Sequence, residues 1–361
     1  MNKKILYLSR GRGYGHAIVD RVVADNIISK IPNVEIIFSS YGEGKSVLSR
    51  SNYPIIDLNI SVEEEFSPVI TREIYNAYNI VKPDLIISHE IFYAIPFAKI
   101  AQLPSLFITH WFFEQITNDD FCLYLSKLMG SADIIAMIDC KEFHLPPPHL
   151  QDKTHFVGPV LRIDSLQGDE PNISINKRNY IVINIGGRIE ANAKLIEFIL
   201  ICLKKINWTG TYGDIILFVG ERKEYFEEFA NKINLSAIVM DFSEKILQLQ
   251  RESVFVIGRG SFTILSELAA LGVPSLHILF EDNPVDKFHA ENFSLLGTAK
   301  ICKYKEITQE TFISTIKDTY IWAQNEREKV YKSGSLYRTN GAEKVCELTS
   351  RLVNRIQMQN N

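Results

Sequence analysis

The sequence predicts an α/β protein made of two domains, each a parallel sheet flanked by helices. Three observations lead there. The chain has 361 residues, too many for one typical core and enough for two domains of roughly 150 to 180 residues. Two rounds of strand–helix alternation run along it, the pattern that produces parallel sheets. Each round also holds a glycine turn between an apolar strand and a helical segment: Arg10-Gly11-Arg12-Gly13-Tyr14-Gly15-His16 in the first and Gly258-Arg259-Gly260-Ser261 in the second. Strand, glycine turn, helix brings backbone close to a ligand at the carboxyl edge of a parallel sheet.

In chain order, the first round offers strands near 4–9, 34–40, 84–88, 105–109 and 133–137. Val34-Glu35-Ile36-Ile37-Phe38 and Asp84-Leu85-Ile86-Ile87-Ser88 are short, apolar and β-branched, as buried parallel strands tend to be. The second round offers 180–185, 214–219, 236–240, 253–257 and 274–279. Between them lies Val157-Gly158-Pro159 and then a polar stretch rich in linker-type residues, Ser165, Gly168, Asp169, Glu170, Pro171 and Asn172. The expected organisation is a first domain over 1–160, a linker over 161–178, a second domain over 179–340, and a last helix over 341–361 that crosses back to the first domain. Residues 308–357 read as helical, with breaks at Gly334 and Gly341.

Composition narrows the function classes. Hydrophobic residues make up 46% and charged residues 23%, the balance of an ordinary globular chain. A formal net charge of −4 argues against a general nucleic-acid surface. No apolar run approaches the roughly 20 residues of a membrane span. The five cysteines (Cys122, Cys140, Cys202, Cys302 and Cys346) are scattered and form no C-x-x-C, which suggests free thiols in a reducing cytoplasm. The run Glu63-Glu64-Glu65 reads as a solvated loop, and Pro146-Pro147-Pro148 as a stiff connector. The aromatic segment Phe107-Ile108-Thr109-His110-Trp111-Phe112-Phe113, with Phe121 and Tyr124, reads first as core and second as an acceptor pocket or membrane contact.

In the second glycine turn, Ser261 caps a helix that Gly272 ends before Pro274. A helix N-terminus after a glycine turn presents free N–H groups and partial positive charge, which suits a diphosphate, and Arg259 adds a formal charge at the same edge. Phe262 and Thr263 open that helix; Glu267, two turns in, can accept hydroxyl hydrogens from a ribose. Asp286 and His289 lie one helical turn apart and suit hydrogen bonding to a sugar. Gly186-Gly187-Arg188 follow a strand and offer further phosphate or sugar contacts; Met240, Asp241 and Phe242 are the candidates for the nucleobase, with Phe242 stacking.

These residues resemble the nucleotide-sugar glycosyltransferases of GT-B fold, in particular the bacterial enzymes that add N-acetylglucosamine to the lipid-linked cell-wall precursor, and related bacterial and archaeal transferases. Four segments carry the likeness: Gly13-Tyr14-Gly15-His16; Pro83-Asp84-Leu85-Ile86-Ile87-Ser88 with Ala98 to Pro104; Val157-Gly158-Pro159-Val160-Leu161-Arg162; and Arg259 to Pro274. The resemblance departs at Val285-Asp286-Lys287-Phe288-His289-Ala290, where Asp286 and His289 stand in place of the family's glutamine and asparagine, so the preferred sugar is open.

The resemblance implies two Rossmann-like domains whose parallel sheets face across a cleft, the first for the acceptor and the second for the donor. It implies an inverting transfer from a UDP- or TDP-sugar to an acceptor hydroxyl (small molecule, glycan or lipid-linked) in the cytoplasm, peripheral to the inner membrane face. His16 is the candidate base, with Asp20 or Glu90 to orient it. No metal cofactor is expected, because no D-x-D triplet is present and His89, His110 and His277 lack ligand spacing such as H-E-x-x-H. A nucleotide-sugar 2-epimerase on the same scaffold, or a nucleotide-binding protein without turnover, are the alternatives.

Overall fold

A computed structural model of the chain describes residues 2–162, 179–186, 189–241, 245–280 and 283–359. It divides into two compact units, one of residues up to Arg162 together with those from Thr339 onward, the other from Ile163 to Arg338. The linker residues 163–178 lie outside the described residues.

The first unit runs β1 (Lys3–Ser9), α1 (Gly15–Lys30), β2 (Val34–Ser40), α2 (Gly42–Leu48), β3 (Ile55–Asp57), α3 (Pro68–Val81), β4 (Leu85–His89), α4 (Ala94–Ile100), β5 (Ser105–Thr109), α5 (Asp120–Met129), β6 (Ile134–Met137) and β7 (Thr154–Phe156). All seven strands are parallel, in the order β3-β2-β1-β4-β5-β6-β7. The order reverses direction between β1 and β4, and the carboxyl ends on either side of such a reversal leave a crevice for ligands. In α3, Ser67 accepts the Val69 N–H, Pro68 sits in the first turn, Ile70, Ile74, Ala77 and Val81 form one buried stripe, and Lys82 ends the helix in the left-handed conformation.

The second unit runs β8 (Tyr180–Asn184), α6 (Ile189–Lys205), α7 (Trp208–Thr211), β9 (Asp214–Phe218), α8 (Lys223–Lys232), β10 (Ile238–Met240), α9 (Ile246–Glu252), β11 (Val256–Arg259), α10 (Phe262–Leu271), β12 (Ser275–Leu279), α11 (Pro284–Leu295), β13 (Ala299–Lys303) and α12 (Gln309–Ser333). Its strands are also parallel, ordered β10-β9-β8-β11-β12-β13, with the reversal between β8 and β11. The helix expected at the end of the chain is α13 (Gly341–Gln359). It belongs to the first unit, where Cys346 Sγ lies 3.6 Å from the Asn26 carbonyl of α1, Lys30 pairs with Glu343, and Thr339 Oγ1 donates to the Pro159 carbonyl at 3.2 Å.

Every strand expected from the sequence is present, and the described residues hold three more. β3 and β7 are three-residue edge strands, and β13 is a half-exposed edge strand carrying Lys300 and Lys303. Such edges lack the continuous apolar run that marks a central parallel strand. The five cysteines form no disulfide. Among the described residues, no helix is long and apolar enough to cross a membrane.

Candidate active site

The ends of β1, β4 and β5 carry a buried polar cluster. Glu90 follows β4 in the left-handed region (φ 56°), an uncommon conformation for a side chain of this size, and is fully buried. Its Oε2 accepts from Arg10 NH1 at 2.8 Å and from His16 Nε2 at 3.1 Å. Its Oε1 accepts from Thr109 Oγ1 at 3.0 Å and Trp111 Nε1 at 2.8 Å, and His110 Nδ1 lies 3.1 Å away. Arg10 also pairs with the buried Glu65 and lies over the Phe66 ring at 5.8 Å. A second pair sits beside this one: Asp20 Oδ1 is 2.7 Å from His89 Nδ1 and accepts from Tyr7 OH at 2.8 Å. The His16 and His89 rings pack with centroids 4.5 Å apart.

These contacts set the protonation of His16. Burial, followed by the neighbouring His89, lowers its pKa from 6.5 to about 4, against the opposing pull of Glu90. The ring is therefore neutral near pH 7. Burial opposes the charge on Glu90, but His110 and His16 hold its carboxyl well below the usual range. An ionised Glu90 only accepts, so His16 carries its proton on Nε2 and its lone pair on Nδ1. Desolvation is the largest cause of the shift.

In the second unit, β11 ends at Arg259, and α10 begins after Gly260 and Ser261. Ser261 has the extended backbone of a capping residue but its hydroxyl makes no capping bond. A helix start that follows a glycine turn and carries no side-chain cap is the arrangement that suits a phosphate. Arg259 does not stand there with an unspent charge: its Nε lies 3.3 Å from Asp286 Oδ2, NH1 is 3.5 Å from Asn192 Oδ1, and the guanidinium covers the Phe280 ring at 4.9 Å. Asp286 is held in turn by Asn283, which accepts its N–H at 3.1 Å and donates to its carboxylate at 2.7 Å.

Gly260 is required by close approach. A Cβ there would meet Leu279 at 2.7 Å, Ala290 at 3.1 Å and the Asp286 carbonyl at 3.2 Å. Gly260→Val is expected to push α11 away from α10, cost roughly 1–3 kcal/mol of stability by overpacking, and abolish nucleotide-induced thermal stabilisation. Both are read in one thermal-shift titration.

His277, in the middle of β12, donates from Nδ1 to the Arg259 carbonyl at 3.0 Å, and burial lowers its pKa from 6.5 to about 4. Between those values the unfolded chain takes up a proton that the folded chain refuses. The stability is therefore complete above about pH 6.5 and lost as the pH falls toward 4. At ~1.36 kcal/mol per pH unit, the loss approaches about 3 kcal/mol. Urea midpoints measured across that range should fall less steeply in His277→Asn than in the wild type.

Residues 182–345, which contain this turn, match the glycosyltransferase family 28 C-terminal domain. The chain is a glycosyltransferase of GT-B fold. It is 24% identical over 343 residues to the UDP-N-acetylglucosamine–N-acetylmuramyl-(pentapeptide) pyrophosphoryl-undecaprenol N-acetylglucosamine transferase of Clostridioides difficile, covering 87% of this chain and 80% of that one. The Acinetobacter baylyi enzyme of the same name is also 24% identical, over 87% and 88% of the two chains. Among solved structures, Acinetobacter baumannii MurG superposes with a TM-score of 0.66 at 17% identity over 96% of this chain and 99% of that one. S. aureus MnaA, determined with UDP, gives 0.65 at 16% identity over 99% and 97%.

In this glycosyltransferase the residues singled out from the sequence fall into three groups. Gly13 (φ 87°), Tyr14 and Gly15 build the turn that starts α1 and sets His16 in its first helical turn. His16 meets Glu90, whereas Asp20 turns to His89 and Tyr7; Asp20 is not the group that orients His16, because the buried face of α1 carries its side chain to β1 and β4. In the second unit Arg259, Gly260, Ser261, Phe262, Thr263, Asp286 and His289 lie around the start of α10, with the buried His289 ring against Phe262 at 4.8 Å. Glu267 lies further along α10 and is buried rather than solvent-facing. Gly186 (φ 80°) ends the β8 segment, its N–H donating to Asn184 Oδ1 at 3.1 Å. Gly187, Arg188 and Phe242 lie outside the described residues.

Two sequence expectations are corrected. Glu65 is not part of a solvated charge run but a buried partner of Arg10. The aromatic segment is not uniform: Phe107, Trp111, Phe112 and Phe113 are core, while Phe121 and Tyr124 of α5 are 43% and 45% exposed. Sequence reasoning also missed Arg10, Thr109, Trp111, His89 and His110 as site residues. All five stand at or just beyond the carboxyl ends of β1, β4 or β5, and that position was the available signal.

Proposed function

We propose that the chain transfers a sugar from a UDP-sugar to an acceptor hydroxyl, with inversion at the anomeric carbon and without a metal ion at the diphosphate. The observation that carries this is the family 28 match over the segment that builds the uncapped start of α10 beside Arg259. The leaving diphosphate gains negative charge as the glycosidic bond breaks. Backbone N–H groups and a guanidinium fixed in advance stabilise that charge without reorganising, the role a divalent ion fills elsewhere. When the diphosphate approaches, Arg259 exchanges part of its pairing with Asp286 for the phosphate, and Asp286 is left to accept sugar hydroxyls.

His16 supplies the proton acceptor. With Nε2–H held by Glu90, Nδ1 takes the proton of the acceptor hydroxyl as its oxygen attacks the anomeric carbon, and Glu90 then stabilises the imidazolium. Attack from the face opposite the leaving diphosphate inverts the centre. The relatives named above act on a pyrophosphoryl-undecaprenol acceptor, and an acceptor of that kind fits here. Phe121 and Tyr124 are exposed on α5, and Phe121 packs edge-on to Phe66 at 5.6 Å, the ring beneath Arg10. Apolar surface thus leads to the polar cluster, and it suits peripheral contact with a lipid surface.

A thermal-shift screen tests the donor. UDP at 100 times its dissociation constant is expected to stabilise the fold by about 2.7 kcal/mol, with the thymidine analogue weaker. A shift with the thymidine nucleotide alone would remove the UDP assignment. UDP release that proceeds equally well without an acceptor hydroxyl would remove the transfer reaction.

A further inference from the structure

The transfer chemistry gives direct parts to His16 and Glu90 alone, yet His89 and His110 converge on the same point. One ring nitrogen from each of His16, His89 and His110 and one oxygen of Glu90 lie within 4.8 Å of one another. His16 Nε2 and His110 Nδ1 each stand 3.1 Å from a Glu90 oxygen. A tetrahedral ion with bonds of ~2.0–2.1 Å spaces its donors by about 3.3 Å, so these separations are already close to the edges of such a site.

His89 supplies a second, independent observation. Its Nδ1 is 2.7 Å from Asp20, while its Nε2 is buried and makes no hydrogen bond among the described residues. Nε2 is thus the ring atom that remains to meet an ion, in a place shut from water. A carboxylate behind an imidazole is the arrangement that orients a metal-ligating histidine and raises its basicity. Here Tyr7 fixes that carboxylate from the other side.

Charge balance leads the same way. Asp20, Glu65 and Glu90 are buried carboxylates, and Arg10 pairs with the latter two. Three carboxylates against one guanidinium favour a further cation here, since buried charge without a counterpart is costly. Arg10 keeps Glu65 as a partner when Glu90 shares its charge. Three imidazoles and one carboxylate suit zinc-like ions, and the hard cations Mg²⁺ and Ca²⁺ prefer all-oxygen shells.

We propose that His16, His89, His110 and Glu90 form a binding site for a first-row transition-metal dication, best matched by Zn²⁺, and that filling it moves the His16 proton from Nε2 to Nδ1 and so takes His16 out of the transfer reaction. The binding claim stands on the cluster alone; only the inhibitory clause rests on the reaction proposed above.

Calorimetric titration of the chelator-treated full chain with ZnCl₂ tests the site without reference to activity. The expected result is one Zn²⁺ per chain, with binding weakened at least tenfold in His89→Ala and in His110→Asn. In Asp20→Asn, which removes the charge behind His89, the loss should be about 10- to 100-fold, the range seen when such outer partners are removed. Circular dichroism checks that each variant is folded, and His110, which is only partly buried, provides the variant least dependent on the core. The absence of stoichiometric heat overturns the proposal, as does undiminished affinity in folded His110→Asn. So does an intense near-ultraviolet thiolate band on substitution with Co²⁺, which would place the ion on a cysteine. In the activity arm, Zn²⁺ suppresses UDP release and EDTA restores it. Zinc binding without any turnover would sink the transferase mechanism alone, and turnover without zinc binding would sink the metal site alone.

Discussion

His16→Ala is expected to lower turnover by about 10²- to 10⁴-fold, the usual contribution of a positioned proton acceptor, while UDP still raises the melting temperature as it does in the wild type. The two readouts separate because His16 and the start of α10 belong to different units of the chain. The substituted ring makes a hydrogen bond to Glu90 and ring contacts to His89 and His110, all within the first unit. Turnover within a factor of ten of the wild type would show that the acceptor proton leaves by another route. A parallel loss of UDP stabilisation would show instead that His16 shapes the donor site.

Glu90→Leu should have the largest effect on stability. Glu90 is fully buried and accepts from Arg10, His16, Thr109 and Trp111, with His110 at 3.1 Å. Removing it leaves each of these groups without that acceptor and Arg10 with Glu65 alone. Breaking a buried pair from one side costs about 3–5 kcal/mol. At ~2–4 °C per kcal/mol for a unit of this size, the thermal midpoint should fall by on the order of 10 °C. Glu90→Gln keeps the shape and part of the bonding, so it should unfold nearer the wild-type temperature. It should still lose turnover, since a neutral amide does not stabilise the His16 imidazolium. An unchanged midpoint in Glu90→Leu would mean that the cluster contributes nothing to the folded state.

Local pattern carried much of the fold. α10 was legible from Ser261 to Gly272 because a capping-type residue, which leaves its hydroxyl unused as a cap, an apolar body and a left-handed glycine (φ 64°) are encoded in adjacent residues. The central strands were legible because burial on both faces demands unbroken apolar runs. β13 was not, since an edge strand with two lysines carries no such run. Among site residues, His16 stood out because a glycine turn announces it. Glu65 did not, because three glutamates in a row look the same whether or not one of them folds inward. Its partner Arg10 is fifty-five positions earlier in the chain, and nothing local links the two.

By itself, the sequence determined two parallel α/β domains, a glycine turn ending in a histidine and a helix start fit for a diphosphate. These features rest on interactions within a dozen residues, where periodicity and capping act. Only the tertiary structure decided that Glu90 rather than Asp20 holds His16, that Asp286 shares the charge of Arg259, and that three histidines meet one carboxylate. Those pairings depend on which strands lie side by side: β1 is flanked by β4, and β4 by β5, so groups far apart in the chain reach one crevice. That adjacency comes from packing of the whole sheet and leaves no mark on the residues nearby in sequence.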